Sequence, residues 1–192
     1  MSGVVSDTIG GYNKFLSDQK DLEGRALLTL VLFDHNYELV FDRVDISRVP
    51  KLDSQTYQIG GTTALNDAIG KTVNNLYQKI TKTKGANVPS RILFLIITDG
   101  LENASREFTT KQVQEIVNDK REHYGWEFIF LGANIDSFAV GATLGTQYNS
   151  NFTQNTKGVS NLYETISLVT TQYRVSGTID KDWDKKLNED QS

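Results

Sequence analysis

Two side chains set the chemistry open to this sequence. Asp99 follows an unbroken apolar run, Ile92 to Ile97, within R-I-L-F-L-I-I-T-D-G-L-E-N (91–103), and Thr63 opens a periodic segment after Gly60-Gly61. A carboxylate and a hydroxyl are hard oxygen donors. They suit a hard cation such as Mg²⁺, which takes near-octahedral oxygen ligands and keeps several waters. Each also has a plainer reading alone, Thr63 as a helix cap and Asp99 as the start of an Asp-Gly turn. Other chemistries lack their residues. There is no cysteine, which excludes disulfides, thiol catalysis and Cys-based zinc sites. The two histidines cannot make a His-rich centre. His35 falls in the turn Asp34-His35-Asn36 and reads as a solvated loop residue. His123 ends a helical stretch, where an imidazolium is favourable. Neither Gly-rich phosphate loop, G-x-G-x-x-G or G-x-x-x-x-G-K-[ST], occurs, and no G-x-S-x-G presents a serine nucleophile.

The elements around these residues follow from the hydrophobic pattern. Ile92 to Ile97 carries no alternation and is too short for a surface helix. It reads as a strand buried on both faces, the mark of a parallel sheet covered by helices. A carboxylate at the carboxyl end of such a strand lies where open α/β sheets bind ligands. Before it, residues 4–19 read as a helix weakened by Gly10-Gly11, each costing about 1 kcal/mol relative to alanine, so this helix needs tertiary support. Arg25 to Phe33 reads as a buried strand, and Tyr37 to Val44 as its antiparallel hairpin partner. Leu65, Ala68, Ile69, Val73, Leu76 and Ile80 stripe a second helix, with Thr62 or Thr63 as its N-cap and Gly85 and Pro89 beyond its end. Thr109 and Gln112 form a capping box for a third helix, 110–123. Trp126 to Leu131 is another buried strand, 136–144 a short helix, and 147–152 a last strand. Val159, Leu162, Ile166, Val169 and Tyr173 stripe a final helix. The fold class predicted is α/β, a doubly wound, mostly parallel sheet with an antiparallel edge hairpin. It occupies residues 1–175 as one domain, and the charged stretch 176–192 reads as a disordered tail.

Composition bounds the function. The 192 residues are 38% hydrophobic and 23% charged, with a net charge of −4 and a pI near 5.2. That argues against nucleic acid and against a polybasic membrane contact. No basic, apolar leader opens the chain and no apolar run approaches a membrane span, so a soluble cytoplasmic protein is the expectation.

Four stretches resemble the von Willebrand factor A (vWA) domain, its bacterial and phage-borne single-domain members in particular. They are G-G-T-T-A-L-N-D-A-I (60–69), F-L-I-I-T-D-G-L-E-N-A-S (94–105), R-E-F-T-T-K-Q-V (106–113) and G-W-E-F-I-F-L-G-A-N-I-D (125–136). The resemblance covers about residues 1–175 and is most specific at Thr98-Asp99-Gly100. In that family a metal-ion-dependent adhesion site, usually holding Mg²⁺, lies at the carboxyl edge of the sheet, and an acidic group of a protein partner completes the metal shell. The site combines a D-x-S-x-S loop after the first strand, a threonine from a second loop and an aspartate from a third. By motif the threonine is Thr63, with Thr62 as the one-residue alternative, and the aspartate is Asp99. The neighbouring Gly61, Thr62, Gly100 and Glu102 then belong to the partner-binding loops.

The departure is large, because D-x-S-x-S does not occur. Asp45-Ile46-Ser47-Arg48-Val49 fails at its last position and lies elsewhere in the order. The chain runs from Met1 straight into the helix that follows the motif in the family. The first strand, central in the family's sheet, is then expected to be missing along with three of the five coordinating side chains. Burying some five apolar side chains of such a strand contributes on the order of 10 kcal/mol before entropy, against a net domain stability of about 5–15 kcal/mol. Residues 1–192 alone are therefore expected to be marginal, to aggregate, or to borrow a strand by self-association, and to bind Mg²⁺ weakly or not at all. The function expected is a non-enzymatic protein-binding module. Its rivals are a metal-dependent hydrolase using Asp99, with Glu102 as the sole nearby general base, and an accessory protein whose metal site is inactive.

Overall fold

A computed structural model describes residues 4–58 and 60–188. The chain runs α1 (Val5–Lys20), β1 (Leu27–Phe33), β2 (Tyr37–Asp45), α2 (Leu65–Thr81), β3 (Leu93–Thr98), α3 (Thr110–Tyr124), β4 (Glu127–Gly132), α4 (Ser137–Leu144), β5 (Tyr148–Asn151), α5 (Thr156–Ser176) and α6 (Lys185–Asn188). β1 and β2 form an antiparallel pair, and β3, β4 and β5 form a parallel sheet in that order. The element order agrees with the hydrophobic pattern, and the class is α/β with helices on both sides.

Two cores flank the strands. On one side α1 and α5 cover Ile129, Leu131, Leu93, Leu95 and Ile97. On the other, α2 and α3 cover Phe128, Phe130, Phe94 and Ile96. Neighbours along β3 and β4 thus point to opposite cores, as the period of two requires. This is why both runs are continuously apolar.

Helix α1 finds its support in α5. The Gln19 side chain donates to the Ser167 carbonyl (3.2 Å) and the Thr171 hydroxyl (3.1 Å), and Ser167 Oγ donates to Asp18 (2.9 Å). Gly11 lies against the Tyr163 ring so closely that a Cβ there would stand 2.2 Å from it. That glycine is a packing residue and not merely a weak point in the helix.

The final stretch corrects an expectation. Within 176–192, the residues described include a short helix, α6, with Leu187 buried. Trp183 meets Tyr148 edge to face at 6.2 Å between centroids. Its charges read as solvated, but three apolar residues, Ile179, Trp183 and Leu187, dock it on the core. Residues 189–192 lie outside those described. Among the described residues, no helix is long and apolar enough to cross a membrane.

Candidate functional site

The carboxyl end of β3 opens into a turn fixed by its own threonine. Thr98 Oγ1 accepts from the Gly100 N–H (3.2 Å) and donates to the Gly100 carbonyl (3.1 Å). Asp99 is thereby held at the sheet edge. Its Oδ2 accepts from Gln154 Nε2 (2.9 Å), and Gln154 Oε1 in turn accepts from Asn134 Nδ2 (2.7 Å). The loops that follow β4 and β5 therefore brace the carboxylate.

Thr63 comes to the same edge. Its N–H donates to Asn103 Oδ1 (2.8 Å), and its carbonyl accepts from the Asn103 N–H (3.0 Å). Its hydroxyl lies against Gly100, where a Cβ would approach it to 2.7 Å. Thr63, Gly100 and the Asp99 turn are thus neighbours at this edge. Gly61 and Thr62 are exposed beside them.

The N-cap expectation fails. α2 begins at Leu65 with Ala64 in the cap position, and neither Thr62 nor Thr63 caps it. The cap comes from the Asp99 loop instead. Glu102 Oε2 accepts from the Asn66 N–H (2.8 Å), and Ser105 Oγ accepts from the Asp67 N–H (3.0 Å). Glu102 is accordingly a half-buried carboxylate turned toward the chain's own N–H groups. It also accepts from the Ala104 and Ser105 N–H groups (3.0 and 2.8 Å) and from Ser105 Oγ (2.7 Å). Burial alone would raise its pKa, but these hydrogen bonds outweigh it and hold the carboxyl below its ordinary range.

Asp67 returns the contact from the helix. It accepts from the backbone N–H groups of Arg106, Glu107 and Phe108, each at 2.9 Å. Burial again opposes ionisation, and the three N–H groups with the nearby Lys71 charge lower its pKa on balance. Two carboxylates therefore clamp the Asp99 loop and the start of α2 from both sides.

Residues that spacing did not single out also reach this edge. The Asp34 carbonyl accepts from the Ala64 N–H (2.7 Å), and its carboxylate lies against Gly60. His35, exposed as expected of a loop residue, stands 3.2 Å from that carboxylate. Tyr57 lines the same cavity as Asp99, and burial, then the Asp99 charge, push its hydroxyl up to about 12. His123 is far from the edge, exposed at the end of α3 beside Asp119.

Thr63 and Asp99 are the candidate oxygen donors at this edge. Thr63 and Asp99 supply two oxygen-bearing side chains, and one Asp99 oxygen already accepts from Gln154. Among the described residues, no three of His, Cys, Asp or Glu converge.

No family model matches the sequence, and no curated protein matches it. Among solved structures, the fold is similar to one described as von Willebrand factor type A from Catenulispora acidiphila. The TM-score is 0.57 at 9% identity, over 88% of this chain and 40% of that one. The chain thus spans well under half the length of the structure it matches. With β3, β4 and β5 parallel, the β1–β2 hairpin antiparallel and helices on both sides, the fold is that of a vWA-like domain.

Proposed function

We propose that this protein is a non-enzymatic protein-binding module of vWA type, contacting a protein partner through loops 60–63 and 98–103. The observation that carries the reading is the surface those loops share. Thr63 and Asn103 fasten them together, and Leu101 stands 56% exposed two residues from Asp99. An exposed apolar side chain on a braced turn beside a carboxylate is a contact surface of mixed character, as protein interfaces are. Glu102, the neighbour with base character, is engaged with the chain's own N–H groups, which favours binding over hydrolysis.

Affinity capture with wild type, Asp99→Ala and Leu101→Asp tests this. Partners retained by wild type and lost by both variants are the expected result. Identical partners for all three would sink the reading and favour an inactive edge. The cation is separable from the partner. Titration calorimetry of residues 1–192 with Mg²⁺ is expected to show no micromolar binding, because the side-chain donors do not complete a shell. Micromolar affinity abolished by Asp99→Ala would overturn that expectation.

A further inference from the structure

Helix α5 leaves part of its outer face bare. Leu168 and Val175 stand 68% and 75% exposed, more than any other large apolar side chain among the described residues. They lie seven residues apart and so share one face, about 10 Å along the helix axis. Single exposed apolar residues need no explanation, whereas an apolar pair beside a cleft marks a contact surface. Segment 178–184 turns past this face. Its residues Asp180, Asp182 and Trp183, with Leu168, Val169 and Gln172 of α5, border a cleft of about 440 Å³. Lys181 lines it too.

The cleft is built on fixed parts. Val169 is buried beneath it, and Trp183 is held edge to face against Tyr148. Ile179 and Leu187 pack on the core on either side of Trp183. An aromatic wall that is already ordered lowers the cost of ordering on binding. The charge at the rim is negative. Asp180 and Asp182 are exposed and lie in no ion pair among the described residues, and Lys181 is the cation that lines the cleft with them. Other nearby charges are engaged. Lys186 pairs with Glu164, and the Arg174 guanidinium turns inward to the Gln19, Glu23 and Gly24 carbonyls.

We propose that this cleft docks an amphipathic helix of a protein partner, its apolar residues on Leu168, Val175 and Trp183 and its lysine or arginine side chains beside Asp180 and Asp182. Apolar residues at i, i+3, i+4 and i+7 of the partner span the interval from Leu168 to Val175. A helix fits because the walls are a helix and a turn, which offer no strand edge. An extended segment would find no backbone to pair with, whereas a helix satisfies its own. The partner is basic because the aspartates favour cations, and the same charge disfavours an anionic lipid surface or a nucleic acid. Trp183 is the expected centre of the contact, since half-buried tryptophans carry much of the binding energy of interfaces. The cleft lies toward the amino end of the parallel sheet, where Arg91, ahead of β3, donates to the Tyr173 and Arg174 carbonyls. That is the end opposite Asp99, so this inference is independent of partner binding at the loop edge.

A synthetic amphipathic peptide tests it, of about fourteen residues, with leucine at i, i+3, i+4 and i+7 and lysine at the flanking positions. Its fluorescence anisotropy is titrated with residues 1–192, beside a twin that carries glutamate for every lysine. The lysine peptide is expected to bind at least about tenfold more tightly than its twin, and binding is expected to slow hydrogen exchange in α5 and in 178–187. Leu168→Ser and Val175→Ser, both at exposed positions, are each expected to weaken the lysine peptide by about tenfold. Asp180→Asn with Asp182→Asn is expected to narrow the gap between the two peptides. No binding of the lysine peptide, equal binding of the two, or wild-type affinity in both serine variants would overturn the proposal. Binding lost in Leu101→Asp and kept in Leu168→Ser would move the peptide to the loop edge and overturn the cleft. A concentration-dependent dimer in sedimentation, dispersed by Leu168→Ser, would assign the cleft to a second copy and overturn the partner helix.

Discussion

Glu102 and Asp67 show how a binding edge can be held by residues that never face a partner. Glu102 takes N–H groups from the start of α2, and Asp67 takes N–H groups from the loop that Glu102 belongs to. Each carboxylate is more acidic in the folded state than free in solution, against the opposing effect of burial. The sign follows from linkage. A depressed folded-state pKa adds stability that is present above the unfolded value and is lost as pH falls through the folded one. Urea unfolding is therefore expected to change little from neutral pH down to the ordinary carboxylate range, near 4.5 for Glu102 and 3.8 for Asp67, and then to weaken below it. Glu102→Ala leaves the Asn66, Ala104 and Ser105 N–H groups without their acceptor and is expected to cost about 2 kcal/mol at neutral pH. The double variant Asp67→Asn with Glu102→Gln should flatten the acid limb. An unchanged limb would show that the clamp is not what titrates.

At the scale of elements, α1 offers a test with two signs. Gly10 and Gly11 are adjacent, and helix propensity alone says each should be better as alanine by about 1 kcal/mol. Their surroundings differ. A Cβ at Gly10 meets nothing within 4 Å, while one at Gly11 falls 2.2 Å from the Tyr163 ring. Gly10→Ala is expected to stabilise by about 1 kcal/mol. Gly11→Ala is expected to destabilise by about 1–2 kcal/mol, because overpacking against a ring exceeds the propensity gain. Thermal unfolding of the two single variants decides it, and a shift of the same sign for both would refute the close α1–α5 packing. These neighbours also mark how far the sequence could be read. The periods of α1, α2 and α5 and the unbroken runs of β3 and β4 are local signals and were legible. So was the capping box of α3, whose partners are three residues apart. The cap of α2 was not, because its acceptors lie 36 and 38 residues downstream. Thr63 and Asp99 were legible as a pair through motif resemblance. Gln154, 55 residues from Asp99, carries no motif, and Asp34 was concealed in a hairpin turn. The docking of Ile179, Trp183 and Leu187 was missed because three apolar residues, although spaced by four, were outweighed by the charges around them.

For the whole molecule, the separation of β1–β2 from β3–β5 divides the stability unevenly. The parallel sheet has β4 at its centre, fully buried between two helical layers and paired on both sides. The hairpin is fastened to the rest through its ends and its surface: Ala64 N–H on the Asp34 carbonyl, Arg25 on Asn87, Arg43 on Thr83 (3.1 Å), and the Lys79–Asp42 ion pair. Several of these are exposed polar contacts, each worth little in water. The hairpin's apolar side chains contribute less than their number implies because they are half-buried. Regions with few buried contacts open locally at lower free energy than the global transition. Native-state hydrogen exchange is therefore expected to resolve two cooperative units in residues 1–192. Amides within the β1–β2 pair should exchange through an opening that leaves β4 protected, at a free energy below that of global unfolding. Adding low urea should leave the β4 amides on the global isotherm while the hairpin amides depart from it. A single isotherm shared by all strands would mean that the hairpin and the parallel sheet unfold as one body.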